Sequence, residues 1–409
     1  MTVQTDKRNR YFLILCIFGA FAILSSTMSK NPVLKPFATS IGTPVSVLGF
    51  VAAASTIPGM LISLPAASLS DIVGRKKVLL FSAFVFASAP FLYLLITDWW
   101  QIILVRFYHG FATAIFVPVT EAMVAENFPT NRGERISLLS SATAVGRGLA
   151  PFLGGYILFA TNDSYPTLYL AVGVAGATAL AVAFLLSTER KRAVAQPLNV
   201  KKTSKMFQGW FELAKNRRVL AVSVIQASQY YVFGAVEFFL VGYLGEVAKL
   251  DPFSVGVVMG CQIVALIISR PIMGRLSDKI GRRIPIISGS VISCLLLLIV
   301  PFVNYFPILL LLSIGYGLGF SMVISSTSAL IFELVPSGLA GTSMGFLSTT
   351  MDVGQTLGPI ISGLILSVSL QYTALFASLS LLLIASSVVF ILSKTAKATN
   401  NALIESKPD

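Results

Sequence analysis

The sequence predicts an all-α membrane protein of twelve transmembrane helices, arranged as two pseudo-symmetric six-helix bundles. Three observations carry this expectation. Of the 409 residues, 55% are hydrophobic and only 11% charged, with a mean hydropathy of +0.83; a soluble chain carries about a quarter charged residues. Apolar runs of roughly 20 residues, the length that crosses a hydrocarbon core, recur along most of the chain. Two short loops are near copies, Leu69-Ser-Asp-Ile-Val-Gly-Arg-Lys76 and Leu276-Ser-Asp-Lys-Ile-Gly-Arg-Arg283. Asp71, Gly74 and Arg75 thus recur as Asp278, Gly281 and Arg282, each 207 positions later.

Taken in order, the spans of the first half begin near residues 11, 44, 78, 101, 137 and 165. Those of the second begin near 219, 253, 285, 305, 339 and 370. The first run, from about Tyr11, is too long for a signal-peptide core and lacks a small-residue cleavage site, so it reads as a retained span. The connections Thr97-Asp-Trp-Trp100 and Asn304-Tyr-Phe-Pro307 carry the aromatic residues of a membrane interface. This divides the chain into a six-helix bundle over 1–187, a linker over 188–218, a second bundle over 219–393 and a tail over 394–409. The linker is rich in Lys and Arg, suits contact with anionic lipid, and holds a candidate amphipathic helix around Met206 to Ala214.

The formal net charge of +13 raises the question of nucleic acid, and its distribution answers it. Threading twelve spans from a cytoplasmic N-terminus puts most basic residues on one side: Lys7, Arg8 and Arg10, the Arg75 group, Arg132 and Arg135, the cluster from Arg190 to Arg218, and the Arg275 to Arg283 group. Only Lys30, Lys35 and Lys249 fall on the other side. That asymmetry is the positive-inside pattern. It argues for a bilayer and against nucleic acid, with the protein in the cell membrane and both termini cytoplasmic. Cys16, Cys261 and Cys294 lie within apolar runs and read as packing residues, not a disulfide framework.

The duplication reaches beyond the loops. Glu126-Asn-Phe-Pro129 repeats as Glu333-Leu-Val-Pro336 at the same offset, and Gly146-Arg-Gly-Leu-Ala-Pro151 resembles Gly354-Gln-Thr-Leu-Gly-Pro359. Parallel repeats with a binding site at their interface are a transporter architecture.

These residues resemble the major facilitator superfamily along essentially the whole chain. Gly274-Arg-Leu-Ser-Asp-Lys-Ile-Gly-Arg-Arg283 matches that family's G-x-L-x-D-[RK]-x-G-[RK]-[RK] signature at every position. In the first copy, Ala67 replaces the leading Gly and Ile72 the basic residue. Arg106-Phe-Tyr-His-Gly110 is similar to the family's R-x-x-x-G element. Gly146-Arg-Gly-Leu-Ala-Pro-Phe-Leu-Gly-Gly155 looks like the element of its drug/proton antiporter branch, with Ala150 in place of one Gly. The resemblance implies the major facilitator fold, and a cytoplasmic latch between the halves made by Asp71, Gly74, Arg75, Asp278, Gly281 and Arg282. It also ties Arg106 to proton coupling, although anchorage at the headgroups would explain an Arg there equally. His109, the only histidine, is expected to be a packed neutral imidazole.

Ionisable residues inside spans are functional candidates. Glu237, Asp352 and Glu121 join Arg106 as candidates for proton coupling. Gln226, Tyr230, Phe233 and Glu237 fall on one stripe of span seven by the 3.6-residue period. With Ser25, Ser26 and Asn31 of span one, Arg147 of span five and Tyr316 of span ten, the uncharged members of that stripe are candidates for lining a solute cavity. The mixed polar and aromatic lining suits an amphiphilic organic solute.

The reading is therefore a secondary active transporter working by alternating access, a proton-coupled antiporter for efflux of drugs or small amphiphiles. Its expected partners are a small-molecule substrate, protons and the lipid bilayer, and it is expected to act as a monomer. Proton-coupled uptake of a metabolite such as an organic acid, with Arg147 as anion partner, stays open, as does a membrane sensor that moves nothing. An enzyme is not expected: the chain lacks a G-x-x-x-x-G-K-[ST] loop. One His and three scattered Cys make no usual metal site, so neither metal nor cofactor is expected.

Overall fold

The computed structural model describes residues 2–186, 213, 215–335, 340–369 and 371–393. The tail, the linker helix expected around Met206 to Ala214 and nearly all of the linker therefore lie outside the described residues. Twelve helices are long and apolar enough to span a bilayer. We label them α1 (Thr2–Met28), α2 (two segments, Val45–Ala53 and Ile57–Val73), α3 (Arg75–Tyr93), α4 (Trp99–Asn127), α5 (Arg132–Ala160) and α6 (Tyr165–Phe184). The second half holds α7 (Arg217–Gly242), α8 (Pro252–Ile280), α9 (Arg283–Ile299), α10 (Phe306–Leu334), α11 (Ala340–Ser369) and α12 (Tyr372–Leu392). Among the described residues there is no strand. With no water in the hydrocarbon region, each span must satisfy its backbone internally, and a helix does so.

Local chemistry fixes the helix ends. Asp98 and Gln101 form a reciprocal capping box at the start of α4. The Asp251 carboxylate accepts from the backbone N–H groups of Phe253 and Ser254, both at 3.0 Å, and so caps α8. Partial burial works to raise the Asp251 carboxyl, but the hydrogen bonds from Ser254 and Phe253 outweigh it and hold its pKa below the usual carboxylate value. The reversals from α2 to α3 and from α8 to α9 turn at Gly74 (φ 106°) and Gly281 (φ 85°), where a side chain would be strained. We call the side bearing these two turns the loop face and the opposite side the far face.

The two halves repeat the same packing. α1 packs on α5 as α7 packs on α11; α2 on α4 as α8 on α10; α3 on α6 as α9 on α12. The repeat holds to single residues. The missing side chain of Gly146 lets α5 approach the carbonyl of Ala20 and the nitrogen of Leu24. That of Gly354 lets α11 approach Ala227 and Tyr231, the residues 207 positions on.

Between the halves, α2 packs on α11 and α5 on α8. The closest backbone approaches, Gly49 on Pro359 and Gly155 on Gly256, lie on the far-face half of these helices. Thr56 and Thr356 share a hydrogen bond of 2.7 Å a little deeper along the α2–α11 seam. The seam is thus sealed toward the far face.

Candidate functional site: a pathway between two halves

The far-face seal is electrostatic as well as apolar. Just beyond α1, Lys30 pairs with Glu237 of α7, and the Asn31 side-chain amide donates to the same carboxylate at 3.0 Å. Both charged side chains are largely buried, at 16% and 10% exposure. A second pair joins Lys35, on a short helix over Leu34–Ser40, to Glu246 in the π-helical turn Tyr243–Val247 that ends α7. The Tyr372 hydroxyl donates to Glu246 at 2.7 Å. Among the described residues, both ion pairs that cross between the halves are at the far face. A cavity of about 240 Å³ sits beside the second pair, lined in part by Lys35, Asp163, Tyr165 and Glu246.

Lys30 and Glu237 are 207 residues apart, the spacing of the duplication itself. They are therefore equivalent positions of the two halves. Equivalent positions touch only where they lie against the axis that relates them. This pair marks the pseudo-two-fold axis at the far mouth.

Deeper in, the predicted cavity residues separate. Arg147 is exposed, yet on α5 it points away from the exposed apolar stripe of Leu138, Val145, Leu149 and Tyr156, between the faces that carry Gly146 onto α1 and Gly148 onto α8. It faces inward, into open space between the halves. Arg270 of α8 is likewise exposed and opposite the outward Ile268 and Ile272. Tyr230 packs edge-on against Phe320, and Phe233 stacks on the same ring at 4.6 Å. Tyr316 is buried with its hydroxyl unpartnered among the described residues. Gln226 is buried and accepts from the Thr327 hydroxyl at 2.7 Å, so it joins α7 to α10 within one half. Ser25, expected on the cavity, instead turns its hydroxyl to the Val172 carbonyl of α6. Asn31 sits in the far seal, with Glu237.

Of the other coupling candidates, Asp352 is half-buried about 18 Å from the loop-face end of α11, taking 1.5 Å per residue. Its carboxylate makes no ion pair with a described residue, and its backbone carbonyl accepts from Thr356 at 2.8 Å. Glu121 is exposed in the loop-face part of α4. Arg106 is buried, 3% exposed, and donates to the Ser55 hydroxyl at 2.5 Å, so it turns into its bundle and not to the headgroups. His109 is packed among Phe86 and Tyr93, with neither ring nitrogen hydrogen-bonded among the described residues.

At the loop face the twin motifs fold identically. Arg75 pairs with Asp71 one turn earlier and with Glu126 of α4 at 2.7 Å; its guanidinium also donates to Ser70 at 2.6 Å. Arg282 pairs with Asp278 and with Glu333 of α10 at 2.8 Å, and donates to Ser277 at 2.7 Å. Burial works against the charged Arg282 guanidinium, but hydrogen bonds and charge from Glu333 and Asp278 outweigh it and raise its pKa. Each described cluster pins the loop-face ends of three helices of one half to each other: α2, α3 and α4, or α8, α9 and α10.

Comparison with known proteins places this architecture. The model of the Major Facilitator Superfamily matches residues 13–261 and 222–408. The chain belongs to the major facilitator superfamily. Among relatives of this superfamily member, an uncharacterized MFS-type transporter of Methanocaldococcus jannaschii is 24% identical over 334 residues, 81% of this chain and 85% of the relative. The multidrug resistance protein MdtG of Citrobacter koseri is 28% identical over 315 residues, 75% of each chain. Among solved structures, a mutant of the nucleoside transporter NupG superposes with a TM-score of 0.83 at 14% identity, covering 94% of this chain and 100% of that one. A bacterial homologue of the lysosomal transporter Spinster, inward-facing and unoccupied, gives 0.76 at 14% identity over 94% of this chain and 95% of that one. At such identity these likenesses speak for the fold alone. The chain is a multi-pass membrane transporter of this superfamily.

Proposed function

We propose that this transporter is a proton-coupled exporter of amphiphilic small molecules working by alternating access, with the loop face cytoplasmic. The charge asymmetry of the loops supports that orientation. The MdtG relatives support export of drug-like solutes, since their name is that of a multidrug resistance protein. The observation that carries the reading is Glu237, a carboxylate held by Lys30 and Asn31 across the closed far mouth.

A proton on Glu237 removes the charge that Lys30 grips and so favours an open far face. In that state the carboxylate meets external water and takes a proton as solute leaves. On closure Lys30 and Asn31 re-engage it, and the proton departs toward the cavity, which is then open to the cytoplasm and ready to load. One carboxylate thereby serves as gate and proton carrier. Asp352, half-buried within α11 and without an ion-pair partner among the described residues, is the second carrier.

The test is transport in proteoliposomes with an imposed pH gradient. Proton–solute exchange, driven equally by a reversed gradient in reverse, is expected. Solute movement in the same direction as protons would overturn the exporter reading. So would coupling undiminished in both Glu237→Gln and Asp352→Asn.

A further inference from the structure

We propose that Arg147 and Arg270 form an anion-binding subsite of the central pathway, so that the solute carried is an amphiphile bearing a sulfonate, phosphate or carboxylate group; this deepens the transport reading above and rests on it.

A guanidinium near the middle of a bilayer is expensive unless it is paired or meets water. Taking 1.5 Å per residue, Arg147 lies about 22 Å and Arg270 about 15 Å from the loop-face ends of their helices, α5 and α8, each spanning 29 residues. Neither forms a salt bridge with a described residue, whereas the arginines of both loop-face clusters do. Glu237, the carboxylate whose charge reaches Arg147, is already taken by Lys30 and Asn31. The Asp352 carboxylate, whose charge with those of both arginines reaches the Tyr230 hydroxyl, forms a salt bridge with neither. Two inward cations thus share the path with one carboxylate, and the site keeps a net positive charge.

They also converge. α5 and α8 pack directly, one from each half, with Gly148 against Val264 and Ile267. The guanidiniums act electrostatically on each other, and both act on the Tyr230 hydroxyl. Beside them the rings of Tyr230, Phe233 and Phe320 offer an apolar surface. A planar fork of N–H donors holds an oxyanion bidentately, and aromatic rings take the apolar body of the same solute. Because the two arginines belong to opposite halves, an anion between them draws the halves together. Loading then relieves a repulsion between like charges that the empty cavity leaves standing.

The experiment titrates the full chain, in nanodiscs of phosphatidylcholine, with anilinonaphthalene sulfonate and with its uncharged parent phenylnaphthylamine. Calorimetry against empty discs gives the two affinities. Wild type is expected to bind the sulfonate about tenfold or more tighter, one charge-assisted hydrogen bond being worth at least that. Arg147→Gln and Arg270→Gln should each remove about tenfold of sulfonate affinity and leave the uncharged probe within about twofold, which also shows the variant to be folded. Equal affinities in wild type, or variants that weaken both probes alike, overturn the subsite. Discs containing phosphatidylglycerol separate the sources of the anion. Competition lost in the arginine variants assigns the subsite to lipid headgroups as well; its absence reserves the subsite for free solute. Binding needs no gradient, so a sulfonate preference without gradient-driven movement would sink the transport reading and leave the subsite standing. Movement of both probes without preference would do the reverse.

Discussion

Glu237→Gln is the most direct perturbation of the gate. It leaves an amide of nearly the same shape, still able to meet Asn31, and removes the charge opposite Lys30. Two unit charges 4 Å apart attract by about 4 kcal/mol at the effective dielectric of a protein surface. Burial of both side chains, at 16% and 10% exposure, costs part of that in lost hydration, and rewetting of Lys30 on opening returns some more. A net loss of about 2 kcal/mol is the working figure. It falls on the far-closed state alone, because Lys30 and Glu237 are on different halves. The ratio of far-open to far-closed molecules should therefore rise about thirtyfold. The assay is an interspin distance across the far mouth, with labels at Trp100 and Tyr305, exposed residues at the far ends of α4 and α10, in a background without the native cysteines. The long-distance population is expected to grow in Glu237→Gln and to fall back when the pair is exchanged as Lys30→Glu with Glu237→Lys. An unchanged distribution in the single variant, or an exchanged pair as open as the single variant, would refute the reasoning.

Three further outcomes are expected. Asp71→Asn and Asp278→Asn should each slow turnover about tenfold while solute affinity stays within about twofold, because each loosens a cluster remote from the cavity; transport rate measured beside equilibrium binding checks it. Gly49→Ala places a Cβ 2.1 Å from the Pro359 carbonyl oxygen, so α2 and α11 must part, at a cost of about 1–3 kcal/mol read as a lowered melting temperature in detergent. Asp251→Ala removes the α8 cap at a cost of about 1 kcal/mol. Since the folded-state pKa of Asp251 is depressed, its contribution is present above the unfolded carboxylate value and lost as pH falls through the folded one. The melting-temperature gap between wild type and Asp251→Ala should accordingly close in acid.

The spans and the duplication were legible because hydropathy and exact spacing are properties of the chain read in line. The site was legible only in part. Arg147 stood out as a charge in an apolar run, and it does face the pathway. Gln226 has the right helical phase, but Thr327 of α10 takes its amide oxygen, a partner 101 residues away that no local pattern announces. Glu237 is legible as an ionisable residue on the span-seven stripe but not as the partner of Lys30, although Lys30 stands at the 207 spacing visible in the loops. The same holds for Glu126 and Glu333, legible as repeats and not as the partners of Arg75 and Arg282, each 51 residues off. Lys35 and Glu246 carried no signal at all, since their meeting depends on a π-helical turn at the end of α7.

The contact of Lys30 with Glu237 also constrains how such a chain can be assembled. A position that faces its own equivalent across a two-fold axis must, in a dimer of identical halves, oppose a copy of itself. Two N-terminal halves would set lysine against lysine, and two C-terminal halves glutamate against glutamate, like charges brought to contact. Only halves that differ can place opposite charges there. Fusion into one polypeptide frees that position from self-matching, and the residues that now occupy it make each half the preferred mate of the other and a poor mate for itself.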